Sequence, residues 1–243
     1  MGRIIAFVYG LVCYLVFLLA FLYAIGFVGN IVVPKSIDSG TEGPLLQSLI
    51  INGLLLSLFA LQHSVMARQW FKKRWTQIVP EAVERSTYVL LASLTLLLLY
   101  WQWRPIKSVV WNVENPTGQV LLQGLFWIGW GGVLFSTYLI DHFSLFGLKQ
   151  VWNYMKGLSE HSLPFKTPSL YKMVRHPLYL GFIIAFWSTP RMTVGHLFFS
   201  VVTTAYILVA IQFEEKDLTS SYGDLYRTYR RRVWMLIPLP PRK

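Results

Sequence analysis

The length, composition and charge of the chain exclude several classes of protein. The chain has 243 residues, of which 54% are hydrophobic and only 14% are charged. Since soluble domains carry roughly 25% charged residues, these values exclude an ordinary soluble enzyme and a disordered regulator. The net charge of +11 is spread between long apolar stretches, which excludes a nucleic-acid-binding domain and indicates a polytopic protein that contacts the lipid bilayer.

Six apolar stretches follow one another along the chain. A membrane-spanning helix needs about 20 apolar residues. The first four stretches are Ile4–Val28, Leu45–Met66, Tyr88–Trp103 and Val120–Ile140. Leu178–Pro190 and Gly195–Phe213 follow closely, which predicts a helical hairpin kinked or capped at Pro190. The prediction is an all-α polytopic membrane bundle of five to six membrane helices, in one domain over residues 1–243.

The charges of the connecting segments predict the orientation in the membrane. Eighteen of the 22 lysine and arginine residues fall on the side of the N-terminus, and only Lys35, Arg104, Lys107 and Arg191 fall on the other. Because cytosolic loops carry the excess of lysine and arginine, both termini are expected to be cytosolic. Beyond the last span, leucine and tyrosine recur at helical spacing from Leu218 to Tyr229, which predicts an amphipathic tail helix on the inner membrane surface.

Pairs of polar residues lie at the predicted cytosolic ends of four spans. These pairs are Gln62–His63, Asp141–His142, Arg175–His176 and Glu214–Glu215. Ionisable groups at membrane depth are costly and usually face a bundle interior or a cavity. For any single residue, contact with lipid headgroups is an equally good interpretation. The four pairs together favour a functional site.

The segment Arg175-His176-Pro177-Leu178-Tyr179-Leu180-Gly181 has the features of an anion-binding helix start. Pro177 suits the first helical position, which places His176 at the N-cap, where free N–H groups attract a carboxylate or phosphate. Gly181 permits the close approach of a neighbouring backbone or of a ligand. The alternative is an ordinary helix start at the membrane interface.

Glu214 and Glu215 are unexpected at the end of the sixth apolar stretch. Two carboxylates at the C-terminal end of a helix oppose its macrodipole. Either Lys216, Arg227 and their neighbours compensate them, or one of them binds a cationic or hydroxyl-bearing ligand.

These motifs together resemble a known family. Arg-His-Pro-x-Tyr at Arg175, Glu-Glu-x-x-Leu at Glu214 and Tyr-Gly-x-x-Tyr-x-x-Tyr at Tyr222 resemble the isoprenylcysteine carboxyl methyltransferase superfamily of integral-membrane enzymes. Upstream segments around Gln62-His63, Glu84-Arg85-Ser86 and Asp141-His142 resemble the branch that contains the bacterial methanethiol S-methyltransferases and the NnrU-like proteins. The segment from Trp187 to His196 favours the methanethiol enzymes.

The resemblance implies a cofactor, a substrate and a location. The cofactor is S-adenosylmethionine, held within residues 141–243, while residues 1–140 form four spans. The residues expected to hold it are Tyr171, Arg175, His176, Pro177, Tyr179, Gly181 and Glu214. The family's arginine for a substrate carboxylate is replaced by Ala210, so the expected acceptor is a small thiol, methanethiol, which becomes dimethyl sulfide. The expected location is the bacterial inner membrane, with the reaction at the cytosolic boundary.

A thiol acceptor needs a base, because the thiolate is the nucleophile. The candidates are His63 and His142, with Asp141 as a possible orienting residue, while His176 is expected to serve the cofactor. For both candidate bases, hydrogen bonding to backbone or lipid is an equally good interpretation.

Three other functions stay open from the sequence. One is methylation of a phospholipid or a prenyl thiol, and another is a non-catalytic NnrU-type role in denitrification. The third is a metal enzyme, which is disfavoured because the repeated histidine boxes of membrane desaturases are missing. No metal, no nucleic acid and no obligate protein partner is expected, and the single Cys13 excludes disulfides and thiolate metal cages.

Overall fold

A computed structural model describes residues 2–158 and 165–239 of the chain. The helices in this part of the chain are α1 (Arg3–Gly29), α2 (Leu45–Met66), α3 (Gln69–Trp75), α4 (Glu81–Gln102), α5 (Pro116–Ile140), α6 (His142–Leu145), α7 (Leu148–Lys156), α8 (Pro177–Trp187), α9 (Val194–Tyr222) and α10 (Asp224–Arg232). A 3-10 turn covers Ser169–Lys172, and two strands are β1 (Val109–Asn112) and β2 (Arg191–Thr193).

The predicted all-α polytopic membrane fold is confirmed. Helices α1, α2, α4, α5 and α9 are long and apolar enough to cross a membrane, whereas α8 is apolar but shorter. The two short strands are not predicted by the apolar pattern of the sequence. They pair antiparallel, with Trp111 opposite Met192, and lie at the start of α9.

Two helices extend beyond the apolar stretches of the sequence. Helix α4 begins at Glu81 rather than Tyr88, because Pro80 forms its N-cap and two glutamates lie in its first turn, where they favour the helix dipole. Helix α9 continues past Phe213 as far as Tyr222 and ends at Gly223, which has a φ of +55° that suits glycine.

The extension of α9 corrects two further expectations. Glu214 and Glu215 lie inside the helix rather than at its end, so the expected conflict with the macrodipole is wrong. The amphipathic tail helix is α10, which begins only at Asp224. Leu218 and Tyr222, which were expected in that tail helix, belong to α9.

The chain divides into two compact units. Unit 1 comprises Met1–Ser108 and Asp141–Ser162, and unit 2 comprises Val109–Ile140 and Leu163–Lys243. In unit 1, α4 packs against α1 and α2, and α7 packs against α1 and α4. Unit 1 therefore holds Asp141, His142 and His63, and unit 2 holds every residue expected to bind the cofactor.

In unit 2 the main helix pair is α5 with α8. A Cβ atom added to Gly181 would lie 2.8 Å from the carbonyl oxygen of Gly129, and one added to Gly129 would lie 2.8 Å from the carbonyl oxygen of Gly181. Small residues permit such close backbone contact between membrane helices. The neighbour that Gly181 admits is therefore the backbone of α5.

Candidate functional site

An ionic cluster around a buried carboxylate joins the start of α8 to α9 in unit 2. Glu215 accepts a hydrogen bond from Arg175 Nε at 2.7 Å, and its other oxygen pairs with Arg230 Nε at 3.0 Å. His176 Nε2 lies 3.2 Å from the same Glu215 oxygen that Arg175 contacts. The Glu215 side chain is only 3% exposed and that of Arg175 8%. These four residues, Arg175, His176, Glu215 and Arg230, are called the Arg175–Glu215 cluster below.

The chain beyond α10 fixes the position of the Arg-His-Pro motif. The backbone N–H groups of Arg175 and His176 donate to the carbonyl oxygens of Trp234 and Met235, at 2.8 and 3.1 Å. The Arg175 guanidinium also donates to the carbonyl oxygen of Val233. Pro177 then occupies the first turn of α8, and within the described part of the chain no side-chain hydrogen bond caps the start of this helix. The helix start is thus held rigidly, with an N-terminus suited to an anion.

Glu214 has a different environment from its neighbour Glu215. Its side chain is 43% exposed, and its Oε2 lies 3.9 Å from His176 Nδ1. Its charge acts on Tyr171, whose pKa is raised by burial and by this carboxylate. The Tyr179 ring packs 5.7 Å from the His176 ring. Tyr171, His176, Tyr179 and Glu214, all predicted from the motif, are therefore brought together around an accessible carboxylate.

Two tyrosines of α10, Tyr226 and Tyr229, which the sequence motifs do not assign to the site, complete this region. Tyr229 donates a hydrogen bond to the carbonyl oxygen of Tyr171 at 2.6 Å. Tyr226 is 1% exposed, and within the described chain its hydroxyl has no hydrogen-bond partner. Burial and the charge of Glu215 raise the pKa of Tyr226. Its neutral hydroxyl is thus available to a ligand that reaches this region.

The candidate base His142 is buried in an aromatic environment in unit 1. Its Nε2 lies 2.8 Å from the hydroxyl of Tyr14, and its ring packs edge-on against Phe143 and Phe146. Burial lowers the pKa of His142 more than the nearby Asp141 charge raises it. A neutral imidazole at neutral pH is the protonation state that a general base requires.

Asp141, the candidate orienting residue, contacts Ser144 and Lys149. Its carboxylate accepts a hydrogen bond from the backbone N–H of Ser144 at 3.1 Å and pairs with Lys149. Burial raises its pKa, but the contacts with Lys149 and Ser144 outweigh this and hold the pKa of Asp141 below its usual value. The carboxylate therefore acts on His142 through its charge, while Tyr14 contacts the ring.

The second candidate base, His63, also contacts a tyrosine. The hydroxyl of Tyr88 lies 3.0 Å from both ring nitrogens of His63. The Tyr88 ring in turn lies under the Arg85 guanidinium. Phe146 packs against the apolar cluster that contains Tyr88 and also against the His142 ring. The two histidines thus belong to one aromatic region of unit 1, called the histidine–tyrosine region below.

The sequence motifs do not include the side chains that contact them in the structure. Glu215, Arg230, Tyr14 and Tyr88 were not assigned to the site. A signal for Glu215 did exist, because it lies one helical turn beyond Ile211 on the buried face of α9, whereas Glu214 does not. In the described residues, no group of three histidine, cysteine or acidic side chains is arranged to hold a metal ion.

Curated relatives match almost the whole chain. A protein of Mycobacterium tuberculosis named methanethiol S-methyltransferase is 55% identical over 242 residues, which cover 100% of this chain and 99% of the relative. Methanethiol S-methyltransferase 1 of Bradyrhizobium diazoefficiens is 58% identical, over 97% of this chain and 83% of its own. A more distant relative, Nurim of Mus musculus, is 31% identical over 75% of this chain and 72% of its own length.

No family model matches the chain, and no solved structure matches it. The family is shown instead by 55% identity over 100% of this chain and 99% of the relative, and the membrane helices and motif geometry described above agree with it. The chain belongs to the methanethiol S-methyltransferase family.

Proposed function

We propose that this chain transfers the methyl group of S-adenosylmethionine to methanethiol and forms dimethyl sulfide. The observation that carries the proposal is the identity of 55% with a methanethiol S-methyltransferase over 100% of this chain. The prenylcysteine enzymes that the motifs resemble have an arginine for the substrate carboxylate where this chain has Ala210, which supports an acceptor that has no carboxylate. We propose further that residues 1–243 form one enzyme domain in a bacterial inner membrane, with both termini cytosolic.

The residues around Glu214 fit S-adenosylmethionine chemically. The accessible Glu214 carboxylate suits an ammonium group or ribose hydroxyls, and the uncapped start of α8 at Pro177 suits a carboxylate. The hydroxyl of Tyr226, which has no hydrogen-bond partner among the described residues, offers a further hydrogen bond near these charges. When bound, the cofactor supplies a methyl group activated by a sulfonium.

The chain's own task is to position the acceptor and remove its proton. Methyl transfer joins the thiol sulfur to the methyl carbon and breaks the bond between that carbon and the sulfonium sulfur. The proton leaves the thiol for a base, and we assign this role to His142, because burial favours its neutral form. Charge is lost as thiolate and sulfonium react, so a site with little water favours the reaction.

The small size of methanethiol limits how tightly it binds. Even the best small ligands gain only about 1.5 kcal/mol per non-hydrogen atom, so two such atoms contribute at most roughly 3 kcal/mol. Binding is therefore expected to be weak, and selection for a small acceptor has to come from the exclusion of larger thiols.

The proposal is tested with the full chain purified in detergent and labelled S-adenosylmethionine. Methanethiol, a bulkier alkyl thiol, a prenylcysteine analogue and a phospholipid are compared at equal concentrations, and dimethyl sulfide is measured by headspace gas chromatography. Methanethiol should be the fastest acceptor. Faster methylation of the prenylcysteine analogue or the phospholipid would contradict the assigned acceptor, and no methylation of any acceptor would contradict an enzymatic function.

The cofactor assignment is tested separately with Glu214→Gln. This variant removes the accessible negative charge and should weaken S-adenosylmethionine binding at least tenfold in calorimetry, while the protein stays folded. Asp217→Asn is the matched control, because Asp217 is an exposed carboxylate on the same helix. Unchanged affinity in Glu214→Gln, or an equal loss in both variants, would contradict the assignment.

A further inference from the structure

An open groove of about 390 Å³ lies along the end of α9 and beside α10 in unit 2. Three cations line it, Lys216, Arg227 and Arg230, together with the hydroxyl side chains of Thr219 and Ser220. Tyr171, His176 and Glu214 do not line this groove. The groove is therefore distinct from the residues to which the proposed function assigns the cofactor.

The groove carries a surplus of positive charge. Its carboxylate, Glu215, is paired with Arg230 and also with the buried Arg175, so most of its charge is compensated. Asp224 accepts a hydrogen bond from Arg227 at 3.0 Å, but both side chains are largely exposed, and exposed ion pairs contribute little. Lys216 adds a further cation at the rim. An anion in this groove would lie close to several positively charged side chains.

The groove continues into an apolar surface on the same face of α9. Leu208 and Gln212 precede Lys216 at intervals of four residues, which places the three on one face of the helix. Leu208 and Val209 are exposed, and in a membrane protein an exposed apolar surface faces lipid. This face of α9 therefore passes from a lipid-facing stretch into a cationic groove within two turns.

We propose that this groove binds the phosphate group of an anionic phospholipid. Arginine and lysine are the side chains that recognise phosphate oxygens, and the hydroxyl of Ser220 lies along the same wall. The apolar stretch at Leu208 and Val209 gives the acyl chains a surface that free phosphate cannot use. The lipid would hold the start of α10 against the membrane and so support the tail that fixes the Arg-His-Pro motif.

The test is native mass spectrometry of the full chain in detergent with added phosphatidylglycerol. Lys216→Gln/Arg227→Gln removes two groove cations and leaves the Arg230–Glu215 pair intact. This variant should retain phosphatidylglycerol about thirtyfold more weakly, because each cation near an anionic membrane contributes about a fivefold gain in affinity. The matched control, Arg231→Gln/Arg232→Gln, removes two exposed cations of α10 that do not line the groove and should change retention less than twofold.

Several results would overturn the proposal. An equal loss in the two double variants would show a general charge effect, and equal retention of phosphatidylcholine would show that the anionic headgroup is not recognised. Binding of inorganic phosphate in calorimetry without retention of phosphatidylglycerol would rule out the lipid source. If the groove variant fails to fold, the unmodified protein is crosslinked with photoreactive phosphatidylglycerol instead. The proposal requires the crosslinks to fall on peptides of 208–230, and crosslinks only elsewhere would overturn it.

Discussion

The two units hold their candidate histidines in opposite ways. In the histidine–tyrosine region of unit 1, His142 and His63 contact neutral tyrosine hydroxyls, and aromatic rings surround them. In the Arg175–Glu215 cluster of unit 2, His176 contacts a buried carboxylate that two arginines also bind. A histidine with neutral partners can exchange a proton without breaking an ion pair. The comparison therefore favours proton transfer in unit 1 and ligand binding in unit 2.

The largest expected effect comes from breaking the ionic cluster itself. Glu215→Gln leaves the buried Arg175 guanidinium without its carboxylate, and removing one partner of a buried ion pair costs about 3–5 kcal/mol. We expect a strong fall in the free energy of unfolding, measured by denaturant titration in detergent. Glu214→Gln at the adjacent, half-exposed position should unfold like the parent protein. Equal stability of the two variants would show that the buried pair is not what holds α8 to α9.

The second prediction concerns the base. His142→Gln should lower kcat/KM for methanethiol about 100-fold at neutral pH, in the usual range for loss of a general base. The rate should recover as pH rises, because an alkyl thiol with a pKa above about 8.5 then ionises without help. His63→Gln is the matched control in the same region and should keep most of its activity. A loss rescued by high pH in His63→Gln alone would transfer the role of base to His63.

The third prediction distinguishes the role of His176, cofactor binding, from the role of a base assigned to His142 or His63. His176→Ala removes a hydrogen bond to a charged group, which is worth about 1.5–3 kcal/mol, beside the expected cofactor site. S-adenosylmethionine affinity should fall tenfold or more at every pH, as measured by calorimetry. Normal cofactor binding combined with activity restored at high pH would instead identify His176 as the base.

The smallest expected effect is a shift of the pH profile. The Asp141 charge raises the pKa of His142 against the lowering by burial. Asp141→Asn therefore lowers that pKa further, and the acid limb of kcat/KM should move to lower pH. Lys149→Gln keeps the carboxylate and should not move the limb in that direction. A shift to higher pH in Asp141→Asn would contradict an electrostatic role for Asp141.

The sequence predicted the fold because the long apolar stretches are a local signal. The bounds of α2 coincide with the predicted Leu45–Met66, and Pro177 begins α8 as its position in the motif predicts. The end of α9 could not be predicted in this way. Its polar last turns are stabilised by Arg175 and Arg230, which come from other segments of the chain.

The site partners were missed for the same reason. Tyr14 and His142 are 128 residues apart in the chain, and no local pattern links them. The strand pair is also a long-range feature, since Val109 pairs with Thr193. Local chemistry therefore indicated the candidate histidines, while only tertiary contacts show which side chain lies next to each one.

The close approach of Gly129 and Gly181 has a consequence for biogenesis. Helix α8 has 11 residues and is roughly 16 Å long, about half of the 30 Å hydrocarbon core. It cannot cross the bilayer by its own length, so its place in the membrane depends on the glycine contact with α5. Because α5 leaves the ribosome first, it can form a docking surface before α8 is synthesised. A bulky residue at position 129 would then block the docking of α8 on α5 during membrane insertion, before any cofactor is bound.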